Sequence, residues 1–226
     1  MAVNSKTVGW KAIAGGCGDK ASVDVTTDGG LTWRSTDPGI RGIVRLKSYG
    51  SGSVFAVGAD GKCQPEYAWI TSPDGSWQTD SAMADRTWYR GLDQPNQVHA
   101  PGGRLFAPCG SGLADLAGLG GYHAAVLCTD GRIRTLPGGN TWKTVGTSST
   151  ARALNADDFR FVVAMIAEGC AGVVIQRFDA DGTGLTDDPR PCHEVPVSPA
   201  EGALGVAIRG NATWLWSTRA WPLLRK

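Results

Sequence analysis

The chain has 226 residues, of which 42% are hydrophobic and 19% are charged, and this composition suits a globular domain with one sizeable core. Its 22 lysine and arginine residues nearly balance its 21 aspartate and glutamate residues, which leaves a formal net charge of +1. A balanced chain has no overall field to steer nucleic acid or an anionic membrane towards it, so we expect no nucleic-acid partner.

Short apolar or alternating runs recur along the whole chain. They are bounded by some of the 32 glycines and 12 prolines, and none keeps the period of a helix, so they predict short β-strands joined by turns. In chain order the predicted strands are 10–16, 22–26, 53–60, 66–70, 104–110, 123–128, 160–168, 172–178, 193–198, 203–210 and 212–218.

A polar box follows four of these strands. Residues 26–33 (TTDGGLTW) match S/T-x-D-x-G-x-T-W at every fixed position. Residues 72–77 are a shorter copy, residues 135–142 carry proline in place of the aspartate, and residues 179–186 lack the tryptophan. Internal self-similarity of this kind indicates a repeat architecture rather than four unrelated turns.

The spacing of the boxes is typical of propeller blades. Trp33 is as far from Trp77 as Trp142 is from Thr186, and this interval is close to the ~40–45 residues of one blade. We attribute the longer interval between the middle two boxes to a glycine-rich insertion at 110–121. Short strands joined by hairpin turns within each interval would form the sheet of one blade.

The boxes resemble the Asp-box (BNR) repeats of sialidase-like β-propellers, an architecture that includes the photosystem II assembly-factor propellers. The resemblance implies that each box is a structural hairpin between the third and fourth strands of a blade, on the side away from the active face. We expect Asp28 to accept hydrogen bonds from its own turn. The residues expected to hold these turns are Thr26, Asp28, Gly30, Thr32, Trp33, Asp74, Gly75, Trp77, Gly139, Thr141, Trp142 and Asp181.

The predicted fold is therefore an all-β propeller that forms a single domain over residues 1–226. Five blades is the preferred count, four is the alternative, and a larger trimmed propeller stays open. The first blade is expected to lack its innermost strand, so the ring would close by pairing of the N- and C-terminal strands. The predicted blades are roughly 7–37, 38–84, 85–148, 149–199 and 200–226.

The six cysteines are spread along the chain without a C-x-x-C pair, which favours disulfides over zinc; six buried free thiols are the alternative. Nearest neighbours within this fold would pair as Cys17–Cys63, Cys109–Cys128 and Cys170–Cys192. Disulfides indicate a secreted or extracytoplasmic protein. No apolar run of membrane length is present, and we expect that a signal sequence or anchor has been removed from the natural protein.

The resemblance to sialidases implies an arginine cluster, a tyrosine activated by a glutamate, and an aspartate acid/base. The F/Y-R-I-P signature of that family is absent. Glu66 and Tyr67 are adjacent, but neighbours on a strand point to opposite faces and cannot form such a pair. Two aspartates flanking one bond would be the commoner glycosidase arrangement, and their spacing singles out no pair. A sialidase-like glycoside hydrolase is therefore the alternative function.

Three arginines recur shortly after box tryptophans, namely Arg41, Arg90 and Arg152. This position predicts the start of successive innermost strands, where the guanidinium groups would form a partial cationic ring at the channel mouth. The alternative is a set of salt bridges between blades, with Asp37, Asp93 and Asp157 as partners. Trp214 and Trp216 share a strand face and could form an aromatic platform for a ligand, or pack in the core between blades.

Residues Asp179, Asp181, Thr183 and Asp187 resemble the first half of an EF-hand calcium loop. Arg190 stands where the bidentate glutamate is required, and no helices are predicted beside the loop. A degenerate box explains the same residues, so we expect neither a metal nor a cofactor.

These observations predict a monomeric, non-catalytic binding or scaffold propeller. Its partner would be a protein, a carbohydrate or another anionic ligand, held at the arginine-lined channel mouth and the loop at 110–121. A third possibility is an assembly factor that docks onto a membrane complex through the same face.

Overall fold

The computed structural model describes residues 1–50, 52–157, 160–185, 192–194, 204–216 and 220–223. Regular structure in these residues is almost entirely antiparallel β. The first two sheets, blades 1 and 2, are each traced in chain order from the inner to the outer edge. Blade 1 contains β1 (Ala2–Val3), β2 (Gly9–Ala12), β3 (Val23–Thr26) and β4 (Arg34–Thr36). Blade 2 contains β5 (Arg41–Tyr49), β6 (Ser53–Ala59), β7 (Pro65–Ile70) and β8 (Gln78–Thr79).

A short helix and a small sheet separate blade 2 from blade 3. The helix is α1 (Ser81–Ala84), and the small sheet contains β9 (Tyr89–Arg90), β10 (Val98–Ala100) and β11 (Arg104–Phe106). No residue of this sheet lines the central cavity described below. The sheet accounts for the long interval between the middle two boxes, so the attribution of that interval to an insertion at 110–121 is wrong.

Blades 3, 4 and 5 follow. Blade 3 contains β12 (Leu113–Gly118), β13 (Ala124–Cys128), β14 (Arg132–Leu136) and β15 (Lys143–Thr147), with a 3-10 turn at Pro137–Gly139. Blade 4 contains β16 (Ala151–Ala156), β17 (Phe161–Met165), β18 (Gly172–Phe178) and β19 (Cys192–Glu194). Blade 5 contains β20 (Gly205–Arg209), β21 (Ala212–Trp216) and β22 (Ala220–Leu223). The prediction of a five-bladed propeller is confirmed, and the four-blade alternative is wrong.

Half of the predicted loop at 110–121 is the inner strand of blade 3, Leu113–Gly118. Small residues let this strand approach its neighbours closely: a Cβ at Gly118 would lie 2.8 Å from Cβ of Trp88 and from Nη1 of Arg45. Gly118, one of the glycines that indicate a loop in the sequence, is therefore needed for packing within a strand.

The core lies between the blades. Every residue of β13 and of β17 is buried, because a neighbouring blade covers each face of these sheets. Leu127 and Ile133 of blade 3 join Leu154, Phe161 and Phe178 of blade 4 in one apolar cluster. Strands covered on both faces read as continuous apolar runs, and this explains why the alternating pattern is weak in the middle of the chain.

The ring closes differently from the prediction. Ala2–Val3 supplies the inner strand of blade 1 and pairs with β2, so the first blade needs no strand from the C-terminus. The C-terminal strands that the structure describes form a sheet of their own. Blades 5 and 1 instead meet through Trp214, which is 1% exposed. Its Nε1 donates to the Ser5 carbonyl at 3.1 Å, and its ring meets Trp33 edge-on, with 6.3 Å between centroids.

The cysteines form three disulfides, Cys17–Cys63, Cys109–Cys128 and Cys170–Cys192, which are the nearest-neighbour pairs. Cys109 lies between β11 and β12 rather than on a strand of blade 3 as expected. The first disulfide joins blade 1 to blade 2. No helix in the described part of the chain is both long and apolar enough to cross a membrane.

Trp214→Ala should destabilise the protein by about 3–5 kcal/mol, because it leaves a cavity at the junction between the first and last blades. Urea denaturation at neutral pH measures the change. Tyr49→Ala is the control, since Tyr49 is 70% exposed and its loss should change little. Equal midpoints for the two variants would contradict closure through Trp214.

Candidate functional site

The inner strands surround a central cavity of about 490 Å³, lined by residues from all five blades. Much of its wall is apolar. The polar or aromatic residues in the lining are Arg45, Lys47, Asp115, Arg152, Asn155 and Trp216.

Each inner strand is the edge of its sheet, so its outward N–H and C=O groups face the cavity without a strand partner. Buried backbone groups of this kind need other partners. Asp115 is such a partner. Its carboxylate accepts hydrogen bonds from the backbone N–H groups of Leu116 at 2.8 Å and Leu154 at 2.7 Å. It thereby ties blade 3 to blade 4. Burial raises the pKa of Asp115, while these two hydrogen bonds act in the opposite direction.

Two cationic side chains, Arg45 and Lys47, donate hydrogen bonds to a backbone carbonyl on the inner edge of blade 3. The Gly118 carbonyl accepts from Arg45 Nη2 at 3.2 Å and from Lys47 Nζ at 2.7 Å. Arg45 Nη1 also donates to the Trp88 carbonyl, so this side chain joins blade 2 to blade 3. Desolvation lowers the pKa of Arg45 to about 10, which leaves it protonated at neutral pH.

Arg152 differs from these charges because it occupies a β-bulge. In the pairing of β16 with β17, Ala151 faces Met165 and Ala153 faces Ala164, so Arg152 is left without a partner residue. Bulges redirect a side chain and are common beside functional sites. Arg152 is exposed and lines the cavity. Its Nη1 donates to the Ser149 carbonyl at 2.7 Å and to the Ala151 carbonyl at 2.9 Å.

Blade 3 has a bulge at the equivalent place. The register of β12 shifts between Leu113 and Asp115, which leaves Ala114 exposed in the cavity wall next to Arg152 in the ring. One bulge therefore presents a cation, and its neighbour presents a small side chain that leaves space in front of it.

The loop between β2 and β3 covers part of the cavity rim. Ala14 forms a parallel bridge with Ile43, and Ile13 is 81% exposed in the cavity lining. The contact requires glycine at position 42, where φ is +44° and a Cβ would lie 2.1 Å from the Gly16 carbonyl oxygen. The Cys17–Cys63 disulfide holds this loop against blade 2.

The structure does not gather the three predicted arginines at one point. Arg41 begins β5 and is exposed, but only Arg152 of the three belongs to the cavity lining. Arg90 lies in β9 of the small sheet rather than in an inner strand, and its Nη2 donates to the Leu113 carbonyl at 2.7 Å.

The proposed salt-bridge partners have other contacts. Asp37 accepts from the Gly39 N–H at 2.9 Å, and Asp93 lies 3.7 Å from Cys17 Sγ. The ion pairs found among the described residues join Lys11 to Asp24, Arg34 to Asp74, Arg132 to Asp130, and Arg160 to Asp179.

The two tryptophans of β21 have different environments. Trp214 is buried at the blade 5–blade 1 junction, with 1% of its surface exposed. Trp216 is partly exposed and lines the cavity. The Lys11 ammonium lies 5.9 Å from its ring centroid and 4.3 Å from that of Trp33.

The box at 26–33 is a closed turn between β3 and β4. The Asp28 carboxylate accepts from the Thr32 N–H at 3.0 Å, from the Thr32 hydroxyl at 2.5 Å and from the Thr26 hydroxyl at 2.7 Å. Trp33 Nε1 donates to the Gly30 carbonyl at 3.1 Å. The hydrogen bonds from Thr32 lower the pKa of Asp28 to about 2. Its carboxylate is therefore a structural group, fully engaged within the turn.

The shorter second box uses its aspartate differently. Asp74 pairs with Arg34 of blade 1 at 3.2 Å, and the Gly75 N–H donates to the Ser72 carbonyl at 3.1 Å. Trp77 Nε1 donates to the Thr36 hydroxyl at 3.1 Å. This box therefore connects two blades, and its own turn is closed by a backbone hydrogen bond rather than by its aspartate.

The remaining boxes lie at the equivalent hairpins of blades 3 and 4. Gly139 ends the 3-10 turn and the exposed Thr141 follows it, while the Trp142 ring packs against Trp88 at 6.4 Å and Phe106 at 6.0 Å.

The calcium candidate is not assembled by the described residues. Asp181 accepts from the Thr183 N–H at 2.9 Å, Asp179 pairs with Arg160 at 3.2 Å, and Asp187 lies outside the described residues. The group of three potential metal ligands found in the described part of the chain is Cys17, Cys63 and Asp93, and its two sulfur atoms are bonded to each other.

Asp115, Arg45 and Lys47 were not among the predicted site residues. The available signal was a charge within an otherwise apolar run, as in VRLK at 44–47 and LADLA at 113–117. A charge at such a place needs a buried partner.

No protein-family model matches the sequence, and a comparison with curated proteins finds no match. Among solved structures, the chain is similar to YCF48 bound to D1 peptide, with 16% identity, a TM-score of 0.41, and coverage of 96% of this chain and 73% of that one. It is also similar to AofleA from Arthrobotrys oligospora, with 10% identity, a TM-score of 0.46, and coverage of 96% and 82%. A third similar structure is SapL1 lectin in complex with alpha methyl fucoside, with 12% identity, a TM-score of 0.42, and coverage of 96% and 95%. At these values the likeness carries no argument about a ligand.

Asp28→Asn should lower the urea midpoint at neutral pH, because an amide nitrogen cannot accept the Thr32 hydrogen bonds. The folded pKa of about 2 lies below the ordinary value of 3.8, so the carboxylate stabilises the fold above pH ~4 and loses this effect as the pH falls towards 2. The difference between variant and parent should therefore narrow over that range. Asp74→Asn, in an exposed pair, should show a smaller difference at neutral pH.

Arg90→Gln should destabilise the protein by about 1–3 kcal/mol, because the Leu113 carbonyl loses a charged donor. Arg41→Gln is the matched control and should leave the urea midpoint nearly unchanged, since Arg41 is exposed. Equal stability of the two variants would show that the hydrogen bond from Arg90 to the Leu113 carbonyl does not stabilise the fold.

Proposed function

We propose that the chain is an extracytoplasmic, non-catalytic binding protein that holds an anionic ligand at the mouth of its central cavity. The observation that carries this proposal is the bulge at Arg152. It presents a guanidinium group to a cavity whose wall contains residues from all five blades. Arginine suits planar anionic groups because its fork donates two parallel hydrogen bonds.

The charge of the cavity wall supports an anion rather than a cation. Arg45, Lys47 and Arg152 face a single described carboxylate, that of Asp115. Because Asp115 already accepts two backbone hydrogen bonds, it does not compete for the ligand. An excess of positive charge in a concave site with low-dielectric walls attracts an anion.

The hydrolase alternative is less well supported by the same wall. A glycosidase needs two carboxyl groups on either side of the bond that it cleaves, and the described lining contributes one. Tyr67 is buried between Phe55, at 4.9 Å between ring centroids, and Trp69, at 5.9 Å, and burial raises its pKa to about 12. It is therefore poorly suited to act as a nucleophile.

Two further features support the remaining parts of the proposal. Three disulfides suit an oxidising, extracytoplasmic compartment. The turn at 26–33, with Asp28 engaged on its own backbone, supports membership of the Asp-box propellers.

Arg152→Glu should abolish binding to the negatively charged members of a glycan array and an acidic-peptide array, because it reverses the charge at the cavity mouth. Arg104→Glu is the control, since Arg104 is exposed on the small sheet outside the cavity lining. Equal loss in both variants, or retention of anion binding in Arg152→Glu, would count against the proposal.

A panel of fluorogenic glycosides, sialosides included, separates the hydrolase alternative from binding alone. Turnover that exceeds a heat-denatured control and is lost in Asp115→Asn would replace the proposed function with catalysis. We expect no turnover.

A further inference from the structure

We infer that the ligand of the central cavity is a small carboxylate with an apolar body, of about the size of an arylalkanoate, whose head binds Arg152 and whose body enters the cavity. This inference rests on the proposed function and adds the chemical class of the ligand.

The polar half of the inference comes from Arg152 and Asn155. In the described part of the chain, only Nη1 of Arg152 donates to protein, to the carbonyls of its own turn. Asn155 accepts from the Ala156 N–H at 2.8 Å, and no described contact uses its amide nitrogen. Both residues line the cavity from the same strand. Arg152 offers donors only, and the amide group of Asn155 adds two further donors, which suits a carboxylate.

The apolar half comes from the rest of the wall. Several hydrophobic side chains remain partly exposed where they face the cavity, namely Ile13, Val44, Leu46, Leu116, Leu204 and Trp216. Ile13 is 81% exposed although it belongs to a loop fixed by backbone contacts to blade 2. Water against such a surface is readily displaced by an apolar group.

The wall disfavours a polyol or a highly charged ligand. A buried hydroxyl needs its own partner, while Asp115, Arg45, Lys47 and several backbone groups of the cavity already bond one another. A single anionic head with an apolar body leaves the fewest groups unsatisfied.

The volume fits this class of ligand. A cavity of roughly 150 Å³ holds one benzene molecule, so a cavity of about 490 Å³ accommodates an aromatic ring, a short linker and a carboxylate. The exposed Ala114, on the neighbouring bulge, keeps the entrance beside Arg152 open.

Isothermal titration calorimetry with phenylacetate, acetate and phenylacetamide tests the inference on the intact, oxidised protein. Phenylacetate should bind with one site per chain. Acetate lacks the apolar body and phenylacetamide lacks the charge, so each should bind about tenfold more weakly, or worse. Equal affinity for acetate would show recognition of charge alone, and equal affinity for phenylacetamide would show recognition of the ring alone; either result overturns the inference.

Variants locate the ligand. Arg152→Gln should weaken phenylacetate binding about tenfold and leave phenylacetamide unaffected, while Ala114→Trp should weaken both by filling the entrance. Ile13→Ser removes an exposed part of the apolar wall and provides the same test if Ala114→Trp does not fold. Arg104→Gln is the control and should bind as the parent does.

The failure of the inference and that of the proposed function give different results. If anion binding on the arrays depends on Arg152 but phenylacetate does not bind, the inference is wrong and the proposed function stands. If phenylacetate binds equally well to the parent and to Arg152→Gln, the ligand head lies elsewhere and the inference is wrong. The proposed function is wrong as well if anion binding on the arrays is also independent of Arg152.

Discussion

The structure depends on satisfying the inner edges of five sheets that face one cavity. Strand edges buried around a channel present N–H and C=O groups with no strand beside them, and leaving such groups unpaired costs about as much as a lost hydrogen bond. This protein meets the need on blade 3 with charged side chains: Asp115 accepts from two N–H groups, and Arg45 and Lys47 donate to one carbonyl. Because these contacts cross from blade to blade, they also set the positions of neighbouring sheets.

The same blades are joined outside the channel by apolar packing and disulfides. Clusters of buried side chains bridge adjacent blades, and Trp214 completes the ring by contacting a loop near the start of the chain. No strand is shared between the first and last blades in the described residues. Closure therefore depends on side-chain complementarity at one junction, whereas a shared strand would have used backbone hydrogen bonds.

A site becomes possible where the inner strands depart from regular pairing. The bulges at Ala114 and Arg152 turn two neighbouring residues towards the cavity, one small and one cationic. Arg45, Lys47 and Asp115 are engaged with backbone groups of neighbouring blades, whereas Arg152 bonds carbonyls of its own turn, and this is why we propose it as the group that meets the ligand. The partly exposed apolar side chains around it give the cavity an amphipathic character.

The repeat of the boxes and the short strands predicted the fold class and made five blades the preferred count, because these features depend on local turn chemistry. The even number of cysteines predicted disulfides, and the pairs that form are the nearest neighbours within that fold. The network around Asp28 was equally predictable, since all its partners lie within 26–33. Tertiary structure alone decided that Arg90 joins the small sheet to blade 3 while Arg152 faces the cavity, although both follow a box tryptophan.

Tertiary structure also decided that 110–121 contains an inner strand and that the ring closes through Trp214. The physical reason is that a bulge, a close approach at Gly118 and a contact between residues 5 and 214 depend on how blades pack against each other, and the local sequence pattern does not encode that packing.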